Sequence, residues 1–317
     1  WDNTTPLVLV RNPEGRLDVE RFLIRSGRQE FSAQGILMSD GSIEAKVQLQ
    51  QVQLLPHLRL IASERMPLAG QVSLQLGLRG TVAQPRVDGT LAVTALRWQQ
   101  YDVGDLYGEF RTVGQVLQLA VRWQGERGIF VQGQGTVGLE APHALALHLR
   151  AAEVDLRLLQ ALSSVVTQSA GRLHADVHLT GTPQQPSLKG TVAIQEGAVQ
   201  LAATRLRYTG IQAQVVFTGT RADLTQLHVK SGDGVLNMTG WATSAGLTLT
   251  HLECTLHAQH FALLHTPELE AILSAVVTVR GSLDDLHAVG TITLPRVRAQ
   301  VGGKLMGGPE AVHLGQL

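Results

Sequence analysis

"GTVAQPRVDGTLAV" occupies residues 80–93, "GTPQQPSLKGTVAI" residues 181–194 and "GSLDDLHAVGTITL" residues 281–294. The phrases begin 101 and 100 residues apart. So regular a spacing marks an internal repeat, and a repeat has to be settled before any other reading of the fold. Gly80 and Gly181 are placed where the chain can leave a strand at positive φ. Pro85 and Pro186 cannot donate to a ladder and belong to the connection. Gly89, Gly190 and Gly290 then open the next strand. The third copy replaces proline with Asp284, Asp285 and His287.

Upstream of each phrase runs a segment of strict alternation: "AGQVSLQLGLRG", "AGRLHADVHLTG" and "AILSAVVTVRG". Val72, Leu74, Leu76 and Leu78 share one face opposite Ser73, Gln75 and Gly77. Leu173, Ala175, Val177 and Leu179 share one opposite His174, Asp176 and His178. Period-2 patterning of this kind predicts strands with one apolar and one wet face. The same parity continues through Leu91 and Val93, Leu117, Leu119 and Val121, Val192 and Ile194, and Val215 and Phe217. It continues again through Leu247 and Leu249, Val277 and Val279, and Ile292 and Leu294. These residues are the candidate lining of a hydrophobic surface.

Segments 15–40, 114–139 and 221–244 also match one another, each reading strand, Gly turn, strand, with Gly35, Gly135 and Gly240 in corresponding places. The domain organisation expected is therefore a partial repeat over 1–68, complete repeats over 69–169 and 170–269, and a partial repeat over 270–317, all in one continuous elongated sheet. Helical spacing of Leu156, Leu159, Leu162 and Val166 predicts a short helix over 154–168, with weaker counterparts over 49–58 and 261–273. Some twenty antiparallel strands cannot stay one flat sheet. Either the sheet folds so that its own apolar face lines an elongated groove, or two sheets pack as a solenoid around a filled core.

Composition narrows the function classes. Lys plus Arg and Asp plus Glu both total 26 of 317 residues, so the net charge is zero, against the basic footprint a nucleic-acid partner demands. Charged residues are only 16%, hydrophobic residues 44% and aromatics 4%, so the apolar surface is aliphatic. A single cysteine, Cys254, excludes an intrachain disulfide framework and reads as a small buried hydrophobe. A chain that opens at Trp1 reads as a processed or excised piece, whose anchor lies outside it.

The sharper motifs weaken under inspection. "GQGTVG" at 133–138 fits a dinucleotide fingerprint, but Pro142 and a period-2 segment follow where a helix should. His174 and His178 lie four apart on a strand, about 13 Å, too far to share an ion. His257, His260 and His265 read as polar-face residues. Trp98, Tyr101, Tyr107, Trp123 and Trp241 are expected at groove rims or turns. No catalytic residue, cofactor or metal ligand set is predicted, and the chain is expected not to be an enzyme.

The phrase carried by Gly80, Thr81, Gln84, Pro85, Gly89 and Thr90, and again by Gly181, Thr182, Gln185, Pro186, Gly190 and Thr191, resembles the TamB family of AsmA-like envelope proteins. The resemblance covers essentially the whole chain. It implies a β-taco, a long antiparallel sheet folded into a trough with a hydrophobic interior. It further implies a periplasmic protein anchored to the inner membrane, phospholipids as cargo moved between the two bacterial membranes, and an outer-membrane barrel protein as partner. Two rival functions remain: a scaffold for the assembly of outer-membrane barrels, and a filled β-solenoid that holds no ligand.

Overall fold

The computed structural model describes residues 2–5, 8–13, 15–54, 68–98, 101–125, 130–158, 160, 165–204, 206–246, 248–265, 269–301, 304–306 and 310–313. Nearly all of them are β-strand. The chain divides into two compact units, residues 1–147 and 148–317.

The first unit contains β1 (Asp2–Thr5), β2 (Leu9–Arg11), β3 (Leu17–Ser26), β4 (Gln29–Leu37), β5 (Ser42–Gln53), β6 (Leu68–Thr81), β7 (Pro85–Trp98), β8 (Tyr101–Val113), β9 (Val116–Gln124) and β10 (Phe130–Gly138). β11 (Leu145–Asp155) begins in this unit and ends in the second. From β3 to β10 each strand pairs antiparallel with the next. β1 and β2 share the remaining edge of β3, against residues 23–25 and 17–19.

The second unit continues with β12 (Val166–Gly181), β13 (Pro186–Leu201), β14 (Arg207–Gly219), β15 (Arg221–Ser231), β16 (Gly234–Ala245), β17 (Thr248–His265), β18 (Leu269–Ser282), β19 (Asp285–Val301), β20 (Lys304–Met306) and β21 (Glu310–His313). It too is an antiparallel meander, from β12 to β19. β20 and β21 both pair with β19.

The repeated phrase forms a hairpin turn. Thr81 and Gln84 exchange backbone hydrogen bonds of 3.3 and 3.1 Å, and Thr182 and Gln185 exchange bonds of 3.2 and 3.1 Å. In both turns the threonine Oγ1 also accepts from the glutamine N–H at 3.1 Å. Gly80 and Gly181 sit at φ 103° and 93°, where a side chain is strained. Pro85 and Pro186 are the first residues of β7 and β13, a position that needs no ladder donor. Gly89, Gly190 and Gly290 do not open strands; they lie inside them, opposite Leu76, Val177 and Val277. A Cβ on Gly89 would come within 2.4 Å of the Gln75 carbonyl oxygen and 2.6 Å of the Phe110 ring.

Over most of their described residues the expected helical segments are strand, although Leu54 and Gln160 are helical. Residues 49–53 belong to β5, 261–265 to β17 and 269–273 to β18; positions 55–58 and 266–268 lie outside the described residues. Of 154–168, Val154 and Asp155 end β11 and Val166–Gln168 begin β12. Leu156–Leu158 form a 3-10 turn and Gln160 is helical, while Leu159 and residues 161–164 lie outside the described residues. Apolar residues that recur every three or four places in 49–53 and 261–273 do so because bulges interrupt a period of two.

Those bulges recur. Gln51, Ala95, Glu196 and His260 are non-glycine residues at φ 50°, 50°, 50° and 47°, each beside a register shift, in β5, β7, β13 and β17. An extra residue bends and twists the strand that carries it. Three of the four bulges share one device. The bulged N–H, out of register with the ladder, donates to a side chain of the adjacent strand: Gln51 to Ser73 Oγ at 3.3 Å, Ala95 to Asp105 Oδ1 at 2.9 Å, and His260 to Ser274 Oγ at 3.0 Å.

In the second unit the bulged ends of the strands close on themselves. Tyr208 of β14 stacks on Phe261 of β17 at 5.6 Å, though β15 and β16 lie between them in the ladder. Tyr208, Ala258, Phe261 and Ala275 are buried there, ringed by Val199, Ile211, Leu236 and Leu273.

Candidate functional site

Directly opposed residues of an antiparallel pair project to the same face. Register therefore shows which side chains share a surface. In the first unit Phe22 lies opposite Ala33, then in turn Val47, Leu76, Gly89, Phe110, Leu119 and Gly135, one residue from each of eight strands. The row beside it runs through Leu49, Leu74, Leu91, Gly108, Val121 and Gly133. Val72 and Val93 are opposed one place further along, while Leu78 faces Val87 and Leu117 faces Val137. All nine predicted lining residues of this unit thus fall on one face. Neither row contains a charge.

The second unit repeats the arrangement. Leu173, Ile194, Ala213, Leu227, Met238, Leu256, Val277 and Gly290 form one row. Val192, Val215, Leu224, Gly240, Cys254 and Val279 form the next, so Cys254 is one more small apolar member of it. Val177 opposes Gly190, which opposes Phe217; Leu179 opposes Leu188, and Ile292 opposes Ala275. Leu294 follows Ile292 at the same parity in β19. A register shift at Thr243 and Ser244 sets Leu249 opposite Ser244. Leu247 lies outside the described residues.

One residue away, the same strands present the opposite chemistry. Gln48, Gln75, Thr90 and Glu109 are opposed in series in the first unit. Asp223, Trp241, Glu253, Arg280 and His287 are opposed in series in the second. Trp241 lies under the Arg221 guanidinium at 4.6 Å and Tyr107 under Arg122 at 5.5 Å, so these two rings serve the polar face. Trp123 continues the apolar series from Leu106 and anchors its indole N–H on the Val103 carbonyl at 2.6 Å. "GQGTVG" is a paired stretch of β10, which removes the phosphate-loop reading. His178 does not meet His174; its ring stacks on His148 of β11.

The residues of the apolar face are not sealed from solvent. Of the described lining residues only Val93 is buried, Val121 is exposed, and the rest are half-buried.

Sequence reasoning missed the contribution of β3–β5. Ile43, Ala45, Val47 and Leu49 alternate with Glu44, Lys46 and Gln48, a signal present in the sequence but masked by the helical spacing read just beyond it. It also missed Phe110, whose ring fills the space above Gly89. Phe217 stands opposite Gly190 in the corresponding place. An aromatic set over a strand glycine restores the packing that the missing side chain forfeits.

No protein-family model, curated protein or solved structure matches the chain.

Proposed function

We propose that the apolar faces of the two units bind phospholipid acyl chains, and that the protein is a non-catalytic conduit for phospholipids between the inner and outer bacterial membranes. The observation that carries this reading is the pair of uncharged rows, each crossing eight strands and left half-exposed. An acyl chain needs no hydrogen bonds, only a continuous dry surface, and gains about 0.8 kcal/mol for each methylene removed from water. Aliphatic rows interrupted by glycine offer little to hold a chain at one place, so it can slide. A charge in such a row costs several kcal/mol to desolvate and would stop it.

The resemblance of the glycine-proline phrases to the TamB family supports the same setting: a trough-shaped sheet in the periplasm, anchored to the inner membrane, with an outer-membrane barrel protein as partner. The polar face would remain in water with the lipid headgroups at the rim.

The reading is tested with a phospholipid carrying a fluorophore on one acyl chain. Saturable binding by the purified chain, lost in Leu76→Asp and Val177→Asp but kept in Thr90→Asp and Thr191→Asp on the polar face, is the outcome it requires. Equal binding by all four variants, or none by the unaltered chain, would overturn it.

A further inference from the structure

We propose that His148, Asp176 and His178 form a binding site for a divalent transition-metal ion of the zinc type, on the polar side of β12. His148 Nε2 lies 2.7 Å from Asp176 Oδ1, and His178 Nδ1 lies 4.0 Å from the same oxygen. The three donor atoms all fall within 4.8 Å of one another. Ligands at zinc bond lengths of about 2.0–2.1 Å in a tetrahedral shell stand about 3.3 Å apart, so the observed separations straddle the required one. Asp176 and His178 are about half exposed on adjacent positions of one strand face, and small side-chain rotations close the difference.

The surroundings are those of a ligand set rather than of a chance contact. The two imidazole rings stack at 3.9 Å with 12° between their planes, which brings both to the same carboxylate. Arg150 Nε lies 3.3 Å from Asp176 Oδ2. It engages the oxygen that faces away from the histidines and so orients Oδ1 toward them, the role an outer partner performs for a metal-bound carboxylate. A metal ion would engage both rings and the Asp176 carboxylate together.

Two imidazoles and one carboxylate suit zinc, copper(II) or nickel, and disfavour calcium and magnesium, which take oxygen ligands. Three protein donors leave a fourth position for water. Asp176 and His178 alternate with Val177, so the ion would sit on the side of the strand opposite the apolar row and tie β11 to β12.

The test is a titration of the chelator-stripped, desalted full chain with zinc(II) alone, followed by calorimetry. The expected result is one ion per chain with a dissociation constant of about 10 µM or tighter. His148→Gln and His178→Gln, each with an unchanged circular dichroism spectrum, should weaken it at least about tenfold. His174→Gln, on the same strand face, should leave it unchanged. If the unaltered chain takes up no stoichiometric zinc at about 100 µM, the site does not exist. If both glutamine variants bind as the unaltered chain does, or if His174→Gln is the variant that loses binding, these residues are not the ligands.

Discussion

The Tyr208 hydroxyl of β14 donates to the Leu263 carbonyl of β17 at 3.2 Å, across the two strands that separate them in the ladder. Its ring lies against Phe261, and both side chains are buried, at 8% and 5% exposure. The contact joins residues 55 positions apart and fixes how the bulged end of the second unit closes. Tyr208→Phe removes the hydrogen bond alone and should cost about 1 kcal/mol. Phe261→Ala should cost about 3–5 kcal/mol, because it empties a site that its neighbours cannot refill. Urea unfolding followed by circular dichroism measures both, and equal costs would show that the ring stack is not what holds this end.

The repeated turn makes a sharper demand on its glycine than an ordinary hairpin does. Gly181 is at φ 93° and a Cβ there would stand 2.3 Å from the Gln185 carbonyl oxygen. Gly114 is at φ 60° with nothing within 4 Å. Gly114→Ala should therefore cost about 1 kcal/mol, for the backbone conformation only. Gly181→Ala should cost more, about 2–3 kcal/mol, since the turn must also open. Thermal unfolding of the two variants decides the order.

The side-chain caps of the bulges predict a local rather than a global effect. Asp105→Ala leaves the Ala95 N–H without its 2.9 Å acceptor and should speed hydrogen exchange at that amide, with a loss of about 1 kcal/mol. Ser73→Ala should do the same at Gln51, and Ser274→Ala at His260. Amide exchange by NMR reads each position; unchanged protection at all three would mean that water serves the bulged N–H groups equally well.

The strands and their two faces were legible because alternation is a local property. Val72 to Leu78 and Leu173 to Leu179 announce their side of the sheet without reference to any partner, and register then places the opposed residues. The turns were legible for the same reason, since Gly80 and Gly181 answer a local need for positive φ. What misled was the helical spacing over 49–53, 261–265 and 269–273, which are strand. A bulge at Gln51 or His260 shifts parity by one, and across that shift period 2 imitates period 3.6. The histidine cluster was out of reach for a different reason. His148 and Asp176 are 28 residues apart, and only the crossing from β11 to β12 brings them within 2.7 Å. Spacing along one strand sees His174 and His178 and rightly separates them.

Native mass spectrometry of the gently purified chain, followed by solvent extraction and lipid analysis, tests the central claim most directly. The account predicts phospholipid molecules bound to the folded chain, and their loss in Leu256→Asp, which puts a charge into the row between Met238 and Val277. A lipid-free spectrum from the unaltered chain, or lipid retained in full by a folded Leu256→Asp variant, would contradict it.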